Sequence, residues 1–148
     1  TFDGNYRPAL WKDSAETRTA YARLLPHVQL ALMTWDDEQA LWGDADPEAA
    51  IRRLQQAGVS EIVLKNGAAG ATYATGDTRH HIPAERVEHI VDTTAAGDAF
   101  NAGYLAARLQ GADPVASCKN GNRLAARVIQ HKGAIIAAEF SVLNKNIT

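Results

Sequence analysis

Apolar and polar positions follow helical and strand spacings in turn along the chain. Residues 12–25 carry the helical kind: Asp13 stands at a cap position, Glu16 follows three residues on, and Tyr21, Leu24 and Leu25 fall on one face before Pro26 stops the run. Val28 to Met33 is an apolar run of strand length, and Asp36 to Trp42 reads as one or two helical turns closed by Gly43. Asp46 and Pro47 open the next helix as cap and first residue. Ile51, Leu54 and Ala57 form its buried stripe, Arg52, Arg53, Gln55 and Gln56 its wet side, and Gly58 ends it. Glu61 to Lys65 reads as a strand running into the small residues NGAAG. Ala71 to Thr75 alternates weakly and turns at Gly76-Asp77, a hairpin signal. His80 to Pro83 and Val87 to Val91 are further strand candidates. Asp98 to Gln110 is helical and closed by Gly111, and Asp113-Pro114 opens a last helix that runs to about Gln130.

Strands alternating with helices across short loops predict an α/β layered fold, a largely parallel sheet flanked by helices. The length of 148 residues is one domain's worth. Acidic residues exceed basic ones by 17 to 15, which argues against a general nucleic-acid binder but leaves room for a local anion site. A single cysteine, Cys118, excludes a disulfide framework and a cysteine zinc cluster; on an apolar helix face it is read as core. The histidines form no metal constellation, because the adjacent His80 and His81 of a strand point to opposite faces. Trp11, Trp35 and Trp42 are read as packing, with Trp35 a candidate neighbour of a nucleotide. No apolar run is long enough to span a membrane, and the opening residues lack the basic and apolar regions of a secretory leader. A cytoplasmic location is therefore expected, with no membrane partner. The chain opens at Thr1 without an initiator Met, so a processed chain, an isolated domain or a fragment is expected.

The stretch Asp92 to Leu105, DTTAAGDAFNAGYL, carries the most chemistry. A strand at Glu88 to Val91 is read as entering the small residues Thr93 to Gly97 and then a helix. Small side chains let backbone N–H groups point inward, and a helix start adds unpaired donors and partial positive charge. Together these suit phosphate. Asp98 at the helix entrance has two readings, a helix cap or a general base taking a proton from an attacking hydroxyl. Gly121, inside a helix, is suited to close packing or to adenine.

The same stretch resembles the C-terminal signature of the ribokinase-like (pfkB-type) sugar kinases, with Ala95 in place of the first Gly of its G-A-G-D core. FDGNYRPALW, TWDDEQALWG and VIQHKGAII look like the 2-keto-3-deoxygluconate kinases. The resemblance runs over essentially all of residues 1–148 but covers only the C-terminal half of such a kinase. It implies the C-terminal half of a ribokinase-like fold, holding the nucleotide-binding and catalytic portion, with the N-terminal half and its lid absent. Asp98 is then the catalytic base, and the N–H groups of Ala95, Ala96, Gly97 and Asp98 form the anion hole. Lys65, Asn66, Gly67 and Gly70 line ATP, and Asn122 is an adenine or ribose candidate. Asp3, Asn5 and Arg7 match a strand-end D-x-N-x-R and share one face if extended. Arg7 then meets the sugar-acid carboxylate, the phosphates or both, with Asn5 on the cofactor side. Thr34 and Asp37 stand for an N-x-x-E element that organises Mg2+ and phosphate through phosphate or water; a register one residue later would promote Glu38. The implied reaction is ATP-dependent phosphorylation of 2-keto-3-deoxygluconate at its terminal hydroxyl. Fructose or ribose as substrate, or a non-catalytic nucleotide-binding fragment, are the alternatives. A complete chain is expected to form a homo-oligomer, and this chain alone to be inactive.

Overall fold

The computed structural model describes residues 1–135; Ile136 of the last motif and the chain beyond it lie outside the described residues. The described residues divide into two compact units, one of Thr1–Gly67 with Ala71–His81, the other of Ala68–Gly70 with residues 82–135.

In the first unit, helix α1 spans Ser14–Leu24. Asp13 caps it by accepting from the Glu16 N–H at 2.8 Å, and Glu16 reaches back to the Lys12 N–H at 3.0 Å. Tyr21 and Leu25, four residues apart, are buried, whereas Leu24 lies off that line and is exposed, contrary to the expected face. A 3-10 turn at Leu25–His27 absorbs Pro26 and delays the first strand, β1, to Leu30–Thr34. Helix α2 covers Trp35–Trp42 and closes on Gly43 at φ +74. Helix α3 covers Pro47–Gln56, its Asp46 cap accepting from the Ala49 N–H at 2.7 Å. Strand β2, Glu61–Lys65, then returns parallel to β1, with Leu30 opposite Glu61 and Thr34 opposite Lys65. Parallel neighbours require such a crossover, and α2 and α3 supply it.

The sheet order is β1-β2-β3-β4, with β3 at Ala71–Thr75 and β4 at Thr78–Ile82. The α/β class holds, and the parallel character sits at the β1 side. Phe2 also makes a parallel bridge to Ala31, through Phe2 N–H to Leu30 O and Leu32 N–H to Phe2 O. On the other side β3 is antiparallel to β2, to which the short loop of residues 66–70 joins it, and the Gly76-Asp77 turn then folds β4 back beside β3. Ala31, Met33, Ile62 and Leu64 face α1, α2 and α3, and with Tyr21, Leu41, Ile51 and Leu54 they form the core of this unit. Trp11, Trp35 and Trp42 pack against that core, as expected. His80 and His81 are exposed on β4.

Arg53 corrects the expected wet side of α3. Its guanidinium is drawn inward by two carboxylates, Glu38 at 2.5 Å and Asp44 at 2.7 Å, and lies over the Trp42 ring.

In the second unit, helix α4 spans Ala96–Leu109, starting two residues earlier than expected, and α5 spans Pro114–Val128. Asp113 caps α5 through the Ala116 N–H at 2.9 Å. Two glycines let the helices touch backbone to backbone: a Cβ on Gly121 would stand 2.8 Å from the Phe100 carbonyl oxygen, and one on Gly103 2.9 Å from that of Asn120. Helix packing thus accounts for Gly121 among its two expected uses. Cys118 is fully buried and its thiol is pushed up to about 12 by that burial, which fits a core residue and not a nucleophile. The strand expected at Val87 to Val91 does not form. That segment has no ladder partner among the described residues; Val91 and Asp92 instead donate to the Ile129 carbonyl at the end of α5. No described helix is long and apolar enough to cross a membrane.

Candidate functional site

Two groups of chemistry-bearing residues emerge, one in each unit. In the first unit they gather past the carboxyl ends of the parallel strands, where α/β sheets bind ligands. Thr34 and Lys65 end β1 and β2 side by side. Lys65 is only 7% exposed, and its ammonium stands 3.8 Å from the Asp3 carboxylate. Asp37, in the first turn of α2, lies 3.6 Å from Arg7, whose Nη1 also donates to the Tyr6 carbonyl at 2.9 Å. Burial pushes the Asp37 carboxyl above the ordinary aspartate range, Arg7 works against that shift, and Asp3 adds to it.

The opening segment is not a plain strand. Asn5 adopts φ +41, which breaks the alternation expected to align Asp3, Asn5 and Arg7 on one face. Asp3 turns to Lys65 and Arg7 to Asp37, while Asn5 is exposed. A Cβ on Gly4 would stand 2.7 Å from the Met33 methyl group, the far end of a flexible side chain, which would have to shift to admit it. The Tyr21 hydroxyl donates to the Gly4 carbonyl and pins the segment. Tyr21 has the helical phase of a core residue, and the signal for its second role is that a buried phenol must find an acceptor.

Glu38, the alternative to Asp37, is 1% exposed and tied to Arg53. Burial raises its pKa on balance, against the lowering by the Arg53 hydrogen bond, and the pairing of Arg53 with both Glu38 and Asp44 makes the carboxylate part of an internal ion network.

In the second unit the key feature is the start of α4. Ala95 is its N-cap at φ +60, and no side chain caps the helix. The Ala96 N–H donates to the Thr93 carbonyl, and the first regular helical bond is Ala99 N–H to Ala95 O. Among the described residues the N–H groups of Gly97 and Asp98 have no acceptor, so they are the donors an anion would meet. Asp98 is exposed, in the first turn, with no capping bond. The capping account of Asp98 therefore does not apply to this geometry.

Asp92 shapes that loop. Its carboxylate accepts from Thr94 N–H at 2.8 Å, an Asx turn, and from Gly133 N–H at 2.9 Å. These bonds, with the Thr94 side chain first among them, hold its pKa below the ordinary carboxylate value. The D-T-T spelling is the sequence signal for this turn.

The residues expected to line ATP have contrasting surroundings. Asn66 and Gly67 are half-buried and exposed, and nothing would obstruct a Cβ on Gly67. Gly70, at φ +93, is where the chain passes against the backbone of Ile82 to Ala84, so its absent side chain serves packing. The Asn122 amide is buried and donates to the carbonyls of Ile82 at 3.3 Å and Pro83 at 2.8 Å, pinning the same segment. No group of three His, Cys, Asp or Glu among the described residues could hold a metal by itself. A lone half-buried carboxylate such as Asp37 suits magnesium only where phosphate oxygens and water complete its shell.

The pfkB family of carbohydrate kinases matches residues 1–140. The 2-dehydro-3-deoxygluconokinase of Haemophilus influenzae is 45% identical over 138 residues, 91% of this chain and 44% of that protein. The same enzyme of Escherichia coli K12 is 45% identical over 141 residues, 93% of this chain and 46% of that protein. Among solved structures, aminoimidazole riboside kinase of Salmonella enterica, complexed with aminoimidazole riboside and an ATP analogue, superposes with a TM-score of 0.81 at 32% identity. That match covers 90% of this chain and 46% of the other. A putative ribokinase II of E. coli, in complex with ATP and Mg2+, superposes with a TM-score of 0.80 at 28% identity, over 90% of this chain and 43% of the other. The chain thus spans a little under half the length of the curated relatives it matches. Matched along nearly all of its length, the chain belongs to the pfkB family of carbohydrate kinases.

Proposed function

We propose that the protein containing this chain phosphorylates 2-keto-3-deoxygluconate at its terminal hydroxyl with ATP, and that Asp98 is the general base. The observation that carries this reading is the start of α4: an uncapped helix end whose Gly97 and Asp98 N–H groups lack acceptors among the described residues, beside an exposed carboxylate that makes no capping bond. The 2-dehydro-3-deoxygluconokinase relatives support the sugar acid as substrate.

Asp98 accepts the proton of the attacking hydroxyl as its oxygen bonds to the γ-phosphorus and the bond to ADP breaks. The first-turn N–H groups of Gly97 and Asp98, which have no acceptor among the described residues, stabilise the charge on the transferring phosphoryl group, while Ala95, and Ala96 with its N–H taken by the Thr93 carbonyl, shape the loop. Lys65, Asn66, Gly67 and Gly70 serve the nucleotide, as does Asn5, and Asn122 contributes by fixing the backbone at Ile82 and Pro83. Asp37 would meet Mg2+ through phosphate or water, and the ion would supply charge that offsets that of the phosphates. Arg7 binds the sugar-acid carboxylate with its guanidinium fork. A neutral sugar is the second reading, favoured by one observation: Arg7 already faces Asp37 and must leave it to take a substrate carboxylate. A cytoplasmic homo-oligomer belongs to the same proposal.

The test uses this chain with the N-terminal half of the H. influenzae relative fused ahead of Thr1. Asp98→Asn should keep nucleotide affinity and lower turnover about 10²-fold or more. Equal turnover in variant and parent removes Asp98 from the mechanism. The 148-residue chain alone should bind adenine nucleotide weakly and release no ADP above background, since closure over the substrate completes such sites.

A further inference from the structure

The two ends of α2 are unequally secured. Its N-cap, Thr34, makes no side-chain capping bond, and a helix this short has little stability of its own. From Glu38 in its first turn to Leu41 near its end, the helix is held by two arginines from neighbouring helices. Arg53 of α3 donates through Nη2 to Glu38 at 2.5 Å and to Asp44 at 2.7 Å, and through Nε to Asp44 at 3.1 Å. It lies 4.4 Å from the centre of the Trp42 ring. Arg18 of α1 donates to the Leu41 carbonyl at 2.7 Å, with its guanidinium 5.9 Å from the same ring. Cations here also complement the carbonyl end of the helix. Glu38, the residue Arg53 holds, is adjacent to Asp37 on the same turn, so the setting of Asp37 above the strand ends follows from the grip on Glu38.

We infer that Arg53 is a positioning residue for Asp37: by fastening Glu38 and Asp44, on either side of Gly43, it fixes α2 and presents the Asp37 carboxylate to the metal-bound phosphates. The inference rests on the proposed role of Asp37. Arg53 touches neither substrate nor nucleotide in this scheme and acts through α2. Lysine at this position keeps the charge but lacks the fork that serves two carboxylates at once.

The experiment uses the same fused chain. Mn2+ stands in for magnesium, and free Mn2+ is followed by electron paramagnetic resonance with a non-hydrolysable ATP analogue present. Arg53→Met should weaken metal–nucleotide binding about 10-fold, the scale for losing a residue that orients a metal-facing group. Arg53→Lys should weaken it less, which also serves if the methionine variant fails to fold. Amide exchange across 35–42 should quicken in both. In an Asp37→Asn background neither change should weaken binding further. Equal losses in both backgrounds, or unchanged Mn2+ affinity in folded Arg53 variants, overturn the inference and leave Asp37 in place. No effect of Asp37→Asn itself overturns this inference together with the proposed role of Asp37.

Discussion

The strand-end cluster of the first unit and the helix start of the second are both polar, but they reach that state differently. At the strand ends, polarity comes from side chains that neutralise one another: Asp3 with Lys65, and Arg7 with Asp37. Each must exchange a protein partner for a ligand before it acts. At the helix start, polarity comes from backbone N–H groups held by the geometry of Ala95 and by the Asp92 carboxylate, with no side chain to displace. A preorganised dipole needs no rearrangement when charge develops, whereas an ion pair must first be broken. The second region therefore suits the transition state and the first suits recognition.

That division can be broken most sharply at Asp98, where the loss of turnover in Asp98→Asn, about 10²-fold or more, should far exceed its effect on binding. Gly121→Val comes next and tests the platform under the helix start. Its side chain would strike Phe100, and overpacking of this kind costs about 1–3 kcal/mol, read from denaturant unfolding of the 148-residue chain. An unchanged midpoint would mean that α4 and α5 do not need their close approach.

Arg7→Lys tests the recognition side. Loss of the fork should reduce use of a carboxylate sugar about tenfold, the worth of one charge-assisted hydrogen bond, and spare a neutral analogue. Equal loss on both would assign Arg7 to the phosphates.

Ala95→Gly should act in the opposite direction. Ala95 is held at φ +60, which costs a residue with a Cβ about 1 kcal/mol, so glycine should raise the unfolding midpoint. A lowered midpoint would show that the left-handed turn is not populated.

The smallest effect concerns Asp92. Its folded pKa is depressed, so the bonds it accepts stabilise the loop fully above the unfolded aspartate value of about 3.9. That contribution fades as pH falls through the lower folded value. The difference in thermal midpoint between parent and Asp92→Asn should thus shrink on acidification from pH 6 toward about pH 3. A difference that stays constant would take the carboxylate out of loop stability.

Much of this was legible in the sequence, because it depends on neighbours in the chain. Asp13, Asp46 and Asp113 cap helices three residues ahead of the amide each one bonds, and Gly43 ends α2 in a left-handed turn. Such contacts are set by backbone geometry within one turn and leave a fixed spelling. The anion-loop stretch was legible for the same reason. The tertiary structure alone decided what depends on residues far apart. Val87 to Val91 has the spelling of a strand, yet a strand exists only where another lends it hydrogen bonds, and none among the described residues does. Arg53 has the helical phase of a surface residue, yet two distant carboxylates and an indole draw it in. Adjacent acids in TWDDE look equivalent in sequence. A helix turns each residue about 100° from the last, and that rotation sends Glu38 into the core ion network while Asp37 stays at the strand ends beside Arg7.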